Sequence, residues 1–193
     1  MEHTGVVCGR FQIFHNEHLQ YVMAAKEQCE HLIVGITSPD PSVSPVEKAD
    51  VNRSSDVANP CTYYERMKMI EAAILEAGLP RERFDIVPFP IGKPELLRYY
   101  LPDEVTVFVT ILDQWGYCKK DRLEEYGYRV SVLWEREEKR ISSTMIRKCI
   151  MQDQAWGEFV PDATYRYVTE HGIDDRIKRI LYCEEHLETK EHS

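Results

Sequence analysis

Nothing in this sequence pairs its cysteines. The six of them (Cys8, Cys29, Cys61, Cys118, Cys149 and Cys183) are scattered without a CxxC spacing, which argues for reduced thiols and against both a disulfide scaffold and a zinc site. No stretch approaches the roughly 20 apolar residues of a membrane span, and the opening MEHTGVVCGR lacks a signal-peptide layout, so a cytoplasmic location with no membrane partner is expected. Positive charge is also short: 24 Lys and Arg face 33 Asp and Glu, for a net charge of −9. That balance speaks against broad nucleic-acid binding, which needs a basic surface. An anionic substrate would have to be held by a local basic cluster working against the overall field. The chain has no internal repeat and no low-complexity tract. It also has no GxGxxG after its first strand, which weighs against a Rossmann-type dehydrogenase.

What is present is ordinary for one soluble domain: 193 residues, 43% hydrophobic and 30% charged, long enough for a sizeable core and a short appendage. Val6–Cys8 reads as a strand, and Leu19, Val22 and Met23 mark a helix from about Asn16 to Cys29. His31–Thr37 is nearly all apolar, as befits a parallel strand buried on both faces. Ser38–Cys61, with Pro39, Pro41, Pro45 and Pro60, reads as a long loop of the kind that is often functional. Thr62 and Glu65 have capping-box form, and Tyr63, Met67, Ile70 and Ile74 continue one helical face until Gly78. Phe84–Pro88, Val105–Leu112 and Arg129–Trp134 read as further strands. Lys119–Tyr126 and Ser142–Met151 read as helices, with more helix from Asp162 and from Asp174. This alternation predicts an α/β fold: a Rossmann-like, doubly wound parallel sheet with a ligand crevice at the strands' carboxyl ends. The expected division is a main domain over residues 1–171 and a charged helical appendage over 172–193.

Two segments carry candidate chemistry. The first strand runs into Gly9-Arg10-Phe11-Gln12-Ile13-Phe14-His15-Asn16-Glu17-His18 and then a helix. A strand, a glycine turn and a helix N-terminus make an anion site, because free N–H groups and the helix dipole face the ligand. His15 and His18 lie three residues apart and can point at one phosphate, and Arg10 adds permanent charge. For an isolated pair, the plainer reading is that one histidine caps the helix and the other packs. The second segment, Ile141-Ser142-Ser143-Thr144-Met145-Ile146-Arg147, follows the last strand and opens another helix. Its hydroxyls and N–H groups can hold phosphate oxygens, and Arg147 can reach back to them. Alone, the Ser-Ser-Thr run is only a good N-cap. Two such helix starts at opposite ends of a βαβ array are harder to dismiss.

Gly9–His18 resembles the GxFxxxHxGH signature of the nucleotidylyltransferase superfamily, and Ile141–Arg147 resembles its ISSTxxR signature. The GRFQ run, Asn59-Pro60 with Thr62 and Glu65-Arg66, and Trp156 with Val160-Pro161 resemble the archaeal-type nicotinamide mononucleotide adenylyltransferases. The likeness covers roughly residues 5–170. Thr110–Gly116, the long Ser38–Pro60 span, Gly35–Pro41 and Pro88–Ile91 look more like the cytidylyltransferase domains of phosphonate pathways. One departure is Glu17, which stands where the pattern has Gly.

The resemblance implies in-line transfer of a nucleoside monophosphate from an NTP (CTP by preference, ATP as the alternative) to a small phosphonate or phosphate acceptor, with pyrophosphate released. It implies that His18 contacts the α-phosphate with His15 beside it. Arg147, Ser142, Ser143 and Thr144 would hold the β- and γ-phosphates, and Gly9, Arg10 and Phe11 would line the turn. Asp113, Trp115, Arg136 and Arg140 are candidates for acceptor or base recognition. Mg²⁺ would arrive with the NTP, since no carboxylate cage is visible. Lys119 and Lys120 read as a solvated face, Glu135, Glu137 and Glu138 as surface charges, Cys8 as core, and Tyr99-Tyr100 as a cover for one cleft edge. A catalytically dead nucleotide sensor, with Glu17 as its lesion, and an interaction module built on the C-terminal helix are the rival readings. A homo-oligomer is compatible with the sequence, which leaves assembly open.

Overall fold

The computed structural model describes residues 2–39, 58–112, 114–136 and 140–180. Five strands form one sheet: β1 (Glu2–Gly9), β2 (Cys29–Ile36), β3 (Phe84–Pro88), β4 (Thr106–Ile111) and β5 (Arg129–Glu135). They are all parallel and lie in the order β3-β2-β1-β4-β5. Helices α1 (Asn16–Lys26), α2 (Tyr63–Glu76), α3 (Gln114–Glu125), α4 (Ser143–Met151) and α5 (Asp162–Glu170) connect or flank them. The expected doubly wound α/β architecture is the one observed.

Alternation along each strand sends neighbouring side chains to opposite faces. Val7, Leu32, Val34, Ile36 and Phe108 enter a core shared with α1, α2, α4 and α5. Val6, Cys8, Ile33, Val107 and Val109 enter a second core closed by Leu123 of α3 and by Phe89, Leu97 and Leu101. Residues 173–180, at the start of the segment assigned to the appendage, are helical and place Ile173 and Ile177 in the first core. Residues 181–193, and residues 40–57 of the long Ser38–Pro60 span, lie outside the described residues.

The sheet opens where the functional motifs meet it. β1 pairs with β2 along its whole length, through Gly9 opposite Ile36. It pairs with β4 only at Gly5 and Val6. Beyond Val6 the two strands part, which strands the Cys8 N–H and the Phe108 carbonyl without ladder partners. Tyr21 of α1 fills that gap: its hydroxyl accepts from Cys8 N at 3.3 Å and donates to Phe108 O at 2.5 Å. Buried backbone groups must be paired, so this one phenol lets the crevice open at the point where strand order reverses, the usual ligand position in such sheets.

One element differs from expectation. α3 begins at Gln114, five residues before the predicted Lys119, so Trp115 and Gly116 lie in its first turn. A Cβ at Gly116 would sit 3.1 Å from Ile111 Cα, so the missing side chain lets the helix start close against β4.

Gly35 in the middle of β2 gives a direct test of the packing. A Cβ there would stand 2.5 Å from Phe89 Cδ2 and 2.8 Å from Phe89 Cβ. Gly35→Ala is expected to destabilise the fold by about 1–3 kcal/mol through overpacking, read as a lower urea midpoint at unchanged slope.

Candidate active site

His15 is the N-cap of α1. Its Nδ1 accepts from the His18 N–H at 3.4 Å, while His18 Nδ1 accepts from the His15 N–H at 3.3 Å. This reciprocal capping box uses imidazoles in place of the usual hydroxyl and carboxylate. It also sets the tautomer: with both Nδ1 atoms accepting, any proton a neutral ring carries sits on Nε2. The rings stack with centroids 3.5 Å apart. Phe11 meets His18 edge-on at 4.9 Å, and Phe14 stacks on it at 5.6 Å. The His18 imidazole is therefore held on three sides by rings, its Nε2–H in a predetermined direction. The capping role of the plainer sequence reading is real, and the pairing of the two rings comes with it.

Phe11 achieves its position through a left-handed backbone, φ 55°, uncommon for a bulky residue. Its buried ring lies where a Cβ on Gly9 would be, 2.7 Å away. That explains the glycine: Phe11 can fold back over the end of β1 only because residue 9 has no side chain.

The second motif is fastened to the first. Ser142 caps α4, its hydroxyl accepting from Met145 N at 3.2 Å. Ser143 Oγ donates to Ile13 O at 3.0 Å. Arg147 is buried; its Nη1 donates to Gln12 O and its Nη2 to Thr144 Oγ1 at 3.2 Å, while its Nε has no partner. The side chains expected to hold phosphate thus also join the two helix starts. In α4 the uncapped first-turn donors are the N–H groups of Ser143 and Thr144.

Two residues that the motif reading passed over complete the centre. Gln12, 3% exposed, binds the Cys61 backbone in both directions, donating to its carbonyl at 3.0 Å and accepting from its N–H at 2.9 Å. Arg66, 2% exposed, donates to four main-chain carbonyls: Arg10 and Thr37 through Nη1 (3.0 and 2.8 Å), Ser38 through Nη2 (2.8 Å) and Thr62 through Nε (3.3 Å). It ties the phosphate turn, the end of β2 and the start of α2 together. The signal in the sequence was an arginine at helical position i+3 from Tyr63, on the face otherwise occupied by Met67, Ile70 and Ile74.

Burial, and then the charge of Arg10, bring both Arg66 and Arg147 down to about 10. Cys61 partly opposes this for both, and Tyr63 for Arg66. Both stay protonated at neutral pH. Neither forms an ion pair among the described residues, so their charge is left to act on a ligand. Burial pushes the Cys61 thiol beside them up to about 12, which leaves it neutral and inert. Farther out, Arg176 of the C-terminal helical segment grips Glu65 with two 2.8 Å bonds and Pro60 O with a third at 3.1 Å. Burial would raise the Glu65 carboxyl, but these bonds outweigh it and hold it below its ordinary range.

The remaining candidates are more dispersed. Arg136 lies at the end of β5 with its guanidinium 5.0 Å over the Trp134 ring. Trp115 is overlaid in the same way by Arg122 of its own helix at 5.6 Å. Arg140 uses its backbone N–H on Glu17, so the Glu17 carboxylate is directed to the approach of α4. Lys120 pairs with Glu124 at 2.8 Å, and Tyr99 is 68% exposed. Asp113, Glu137 and Glu138 lie outside the described residues.

The parallel sheet thus opens at its switch point, with the two helix starts fastened together beside it. The cytidylyltransferase-like family model matches residues 6–149. The chain is 46% identical to phosphonoformate cytidylyltransferase of Streptomyces viridochromogenes, over 91% of this chain and 95% of that protein. It is 32% identical to the nicotinamide-nucleotide adenylyltransferase of Thermococcus sibiricus, over 91% and 88% respectively. Among solved structures it resembles a bifunctional NMN adenylyltransferase/ADP ribose pyrophosphatase from Francisella tularensis, complexed with AMP and a manganese ion. The TM-score there is 0.67 at 15% identity, and this whole chain spans 57% of that one. The chain belongs to the cytidylyltransferase-like family.

Arg66→Lys tests the buried clamp. An ammonium has at most three donors and no planar fork for four carbonyls spread over three segments. The variant is expected to lose about 2 kcal/mol or more of stability, the effect of leaving buried carbonyls unpaired, as a lower urea midpoint. An unchanged midpoint would show that these carbonyls need no guanidinium.

Proposed function

We propose that this chain transfers CMP from CTP to a small phosphonate acceptor and releases pyrophosphate. The observation that carries the reading is the 46% identity to a phosphonoformate cytidylyltransferase across nearly the full length of both proteins. Adenylylation of nicotinamide mononucleotide is the alternative, favoured by the 32% relative.

An acceptor oxygen attacks the α-phosphorus of the NTP. The new P–O bond makes an anhydride, the bond to the β-phosphate bridge breaks, and pyrophosphate leaves with that electron pair. No covalent enzyme intermediate is needed. Catalysis then reduces to positioning and to stabilising charge on the non-bridging oxygens. His18 donates from Nε2 to an α-phosphate oxygen, and its box of Phe11, Phe14 and His15 means that little reorganisation is needed as charge builds. His15 lies beside it on the phosphate chain. The first-turn N–H groups of α4, with Ser142, Ser143, Thr144 and the field of Arg147, receive the β- and γ-phosphates, and Arg10 neutralises charge at the glycine turn. Trp115, Arg136, Arg140 and Asp113 remain the candidates for base and acceptor recognition.

Apart from the carboxylate of Glu17, the side chains assigned to phosphate at the two motifs are imidazoles, hydroxyls and guanidiniums, and among the described residues no three His, Cys, Asp or Glu side chains gather as a metal site. Such a donor set suits a divalent cation, Mg²⁺ in this reading, that is carried in on triphosphate oxygens. Bound there, it would neutralise phosphate charge. Among the described residues, no helix is long and apolar enough to cross a membrane.

His18→Ala is expected to lower kcat by about 10²–10³-fold with little change in NTP affinity, the pattern for a donor that matters mainly in the transition state. The substrate assignment is tested by supplying each NTP with phosphonate and phosphate acceptors and reading pyrophosphate release. CTP with a small phosphonate is expected to give the fastest turnover. Synthesis of NAD from ATP and nicotinamide mononucleotide, without CTP activity on any phosphonate, would decide for the alternative.

A further inference from the structure

Glu17 is the second residue of α1, inside the phosphate turn. A carboxylate there is favoured by the helix dipole and disfavoured by an incoming triphosphate. Glu17 Oε1 accepts from the Arg140 N–H at 3.2 Å, turning the carboxylate toward the β5–α4 connection, two residues before the Ser142 cap. Two links join the helix starts on the buried side, Ser143 to Ile13 and Arg147 to Gln12. The bond from Arg140 to Glu17 joins them on the solvent side.

We propose that Glu17 is a positioning residue: an external latch that holds the entry of α4 in register with α1, so that both helix starts meet one triphosphate. The latch needs an acceptor atom, not a charge. Arg140, a candidate NTP contact, is thereby anchored by its own backbone. This proposal rests on the two motifs binding a triphosphate, but not on which base or acceptor is used.

The test measures equilibrium binding of inorganic tripolyphosphate, which carries neither base nor acceptor, beside CTP and ATP, to wild type, Glu17→Gln and Glu17→Ala. Thermal melts serve as a folding control: losing the carboxylate at the helix start should lower the melting temperature of both variants by only about a few degrees, leaving all three proteins folded in the binding assay. Glu17→Gln keeps an acceptor oxygen and should bind tripolyphosphate as wild type or more tightly. Glu17→Ala should bind it about 3- to 10-fold more weakly, the effect of losing one positioning hydrogen bond. A change that follows tripolyphosphate and either nucleotide alike supports the latch even if the CTP assignment fails. Equal affinity of Glu17→Ala and wild type overturns it. So does tighter binding by both variants, which would make Glu17 merely repulsive, and so does equal weakening of both, which would make its charge the requirement. Absence of tripolyphosphate binding by wild type overturns the latch together with the two-motif site.

Discussion

Arg147 reaches from α4 into the turn after β1 and donates to the carbonyl of Gln12. Much of the site follows from that contact. Gln12 passes the constraint on through two hydrogen bonds to the Cys61 backbone, at the approach to α2. Arg66 returns it from α2 to the carbonyls of Arg10, Thr37 and Ser38. Three segments far apart in sequence become one rigid surround for the end of β1. A guanidinium suits this task because it offers five donors in a fixed plane and keeps its charge when buried.

The same arrangement reconciles an acidic protein with anionic substrates. Among the described residues, Arg66 and Arg147 donate to carbonyls and a hydroxyl, not to carboxylates, so both keep their positive charge uncancelled while the chain as a whole carries −9. Main-chain acceptors orient the cations without cancelling them. A short-range attraction against a long-range repulsion favours ligands that reach the turn itself, and salt should weaken the repulsive part first. Nearby, the stacked histidines keep their Nδ1 atoms on backbone N–H groups. Their orientation is thus built into helix α1 and does not wait for a ligand.

Much of this was legible in the sequence. Phe84–Pro88 is a strand as expected because an apolar run between turn residues has little alternative. Thr62 and Glu65 form the predicted capping box, since its geometry is local. The two phosphate-type motifs were recognisable from residue types that follow strands and open helices. What escaped depends on tertiary contacts. Gln12 and Arg66 are polar residues whose buried partners lie up to 56 positions away, beyond any periodicity. The start of α3 escaped because Gly116 lowers helix propensity, yet close passage over Ile111 requires it. Tyr21 looked like one more helix residue, although its hydroxyl bridges the parting of β1 and β4. Glu17 looked like a defect in a signature until its hydrogen bond to Arg140 placed it.

In the function proposed above, the joined motifs pass a nucleotidyl group directly between two bound substrates, without a covalent stop on the protein. Isotope exchange separates the two routes: the protein is incubated with unlabelled CTP and labelled pyrophosphate, with and without a small phosphonate as acceptor. Direct displacement predicts label in CTP only when acceptor is present, because only then does a nucleotidylated product form that pyrophosphate can reverse. Label entering CTP in its absence would mean that the protein itself carries the nucleotidyl group and that direct displacement is wrong.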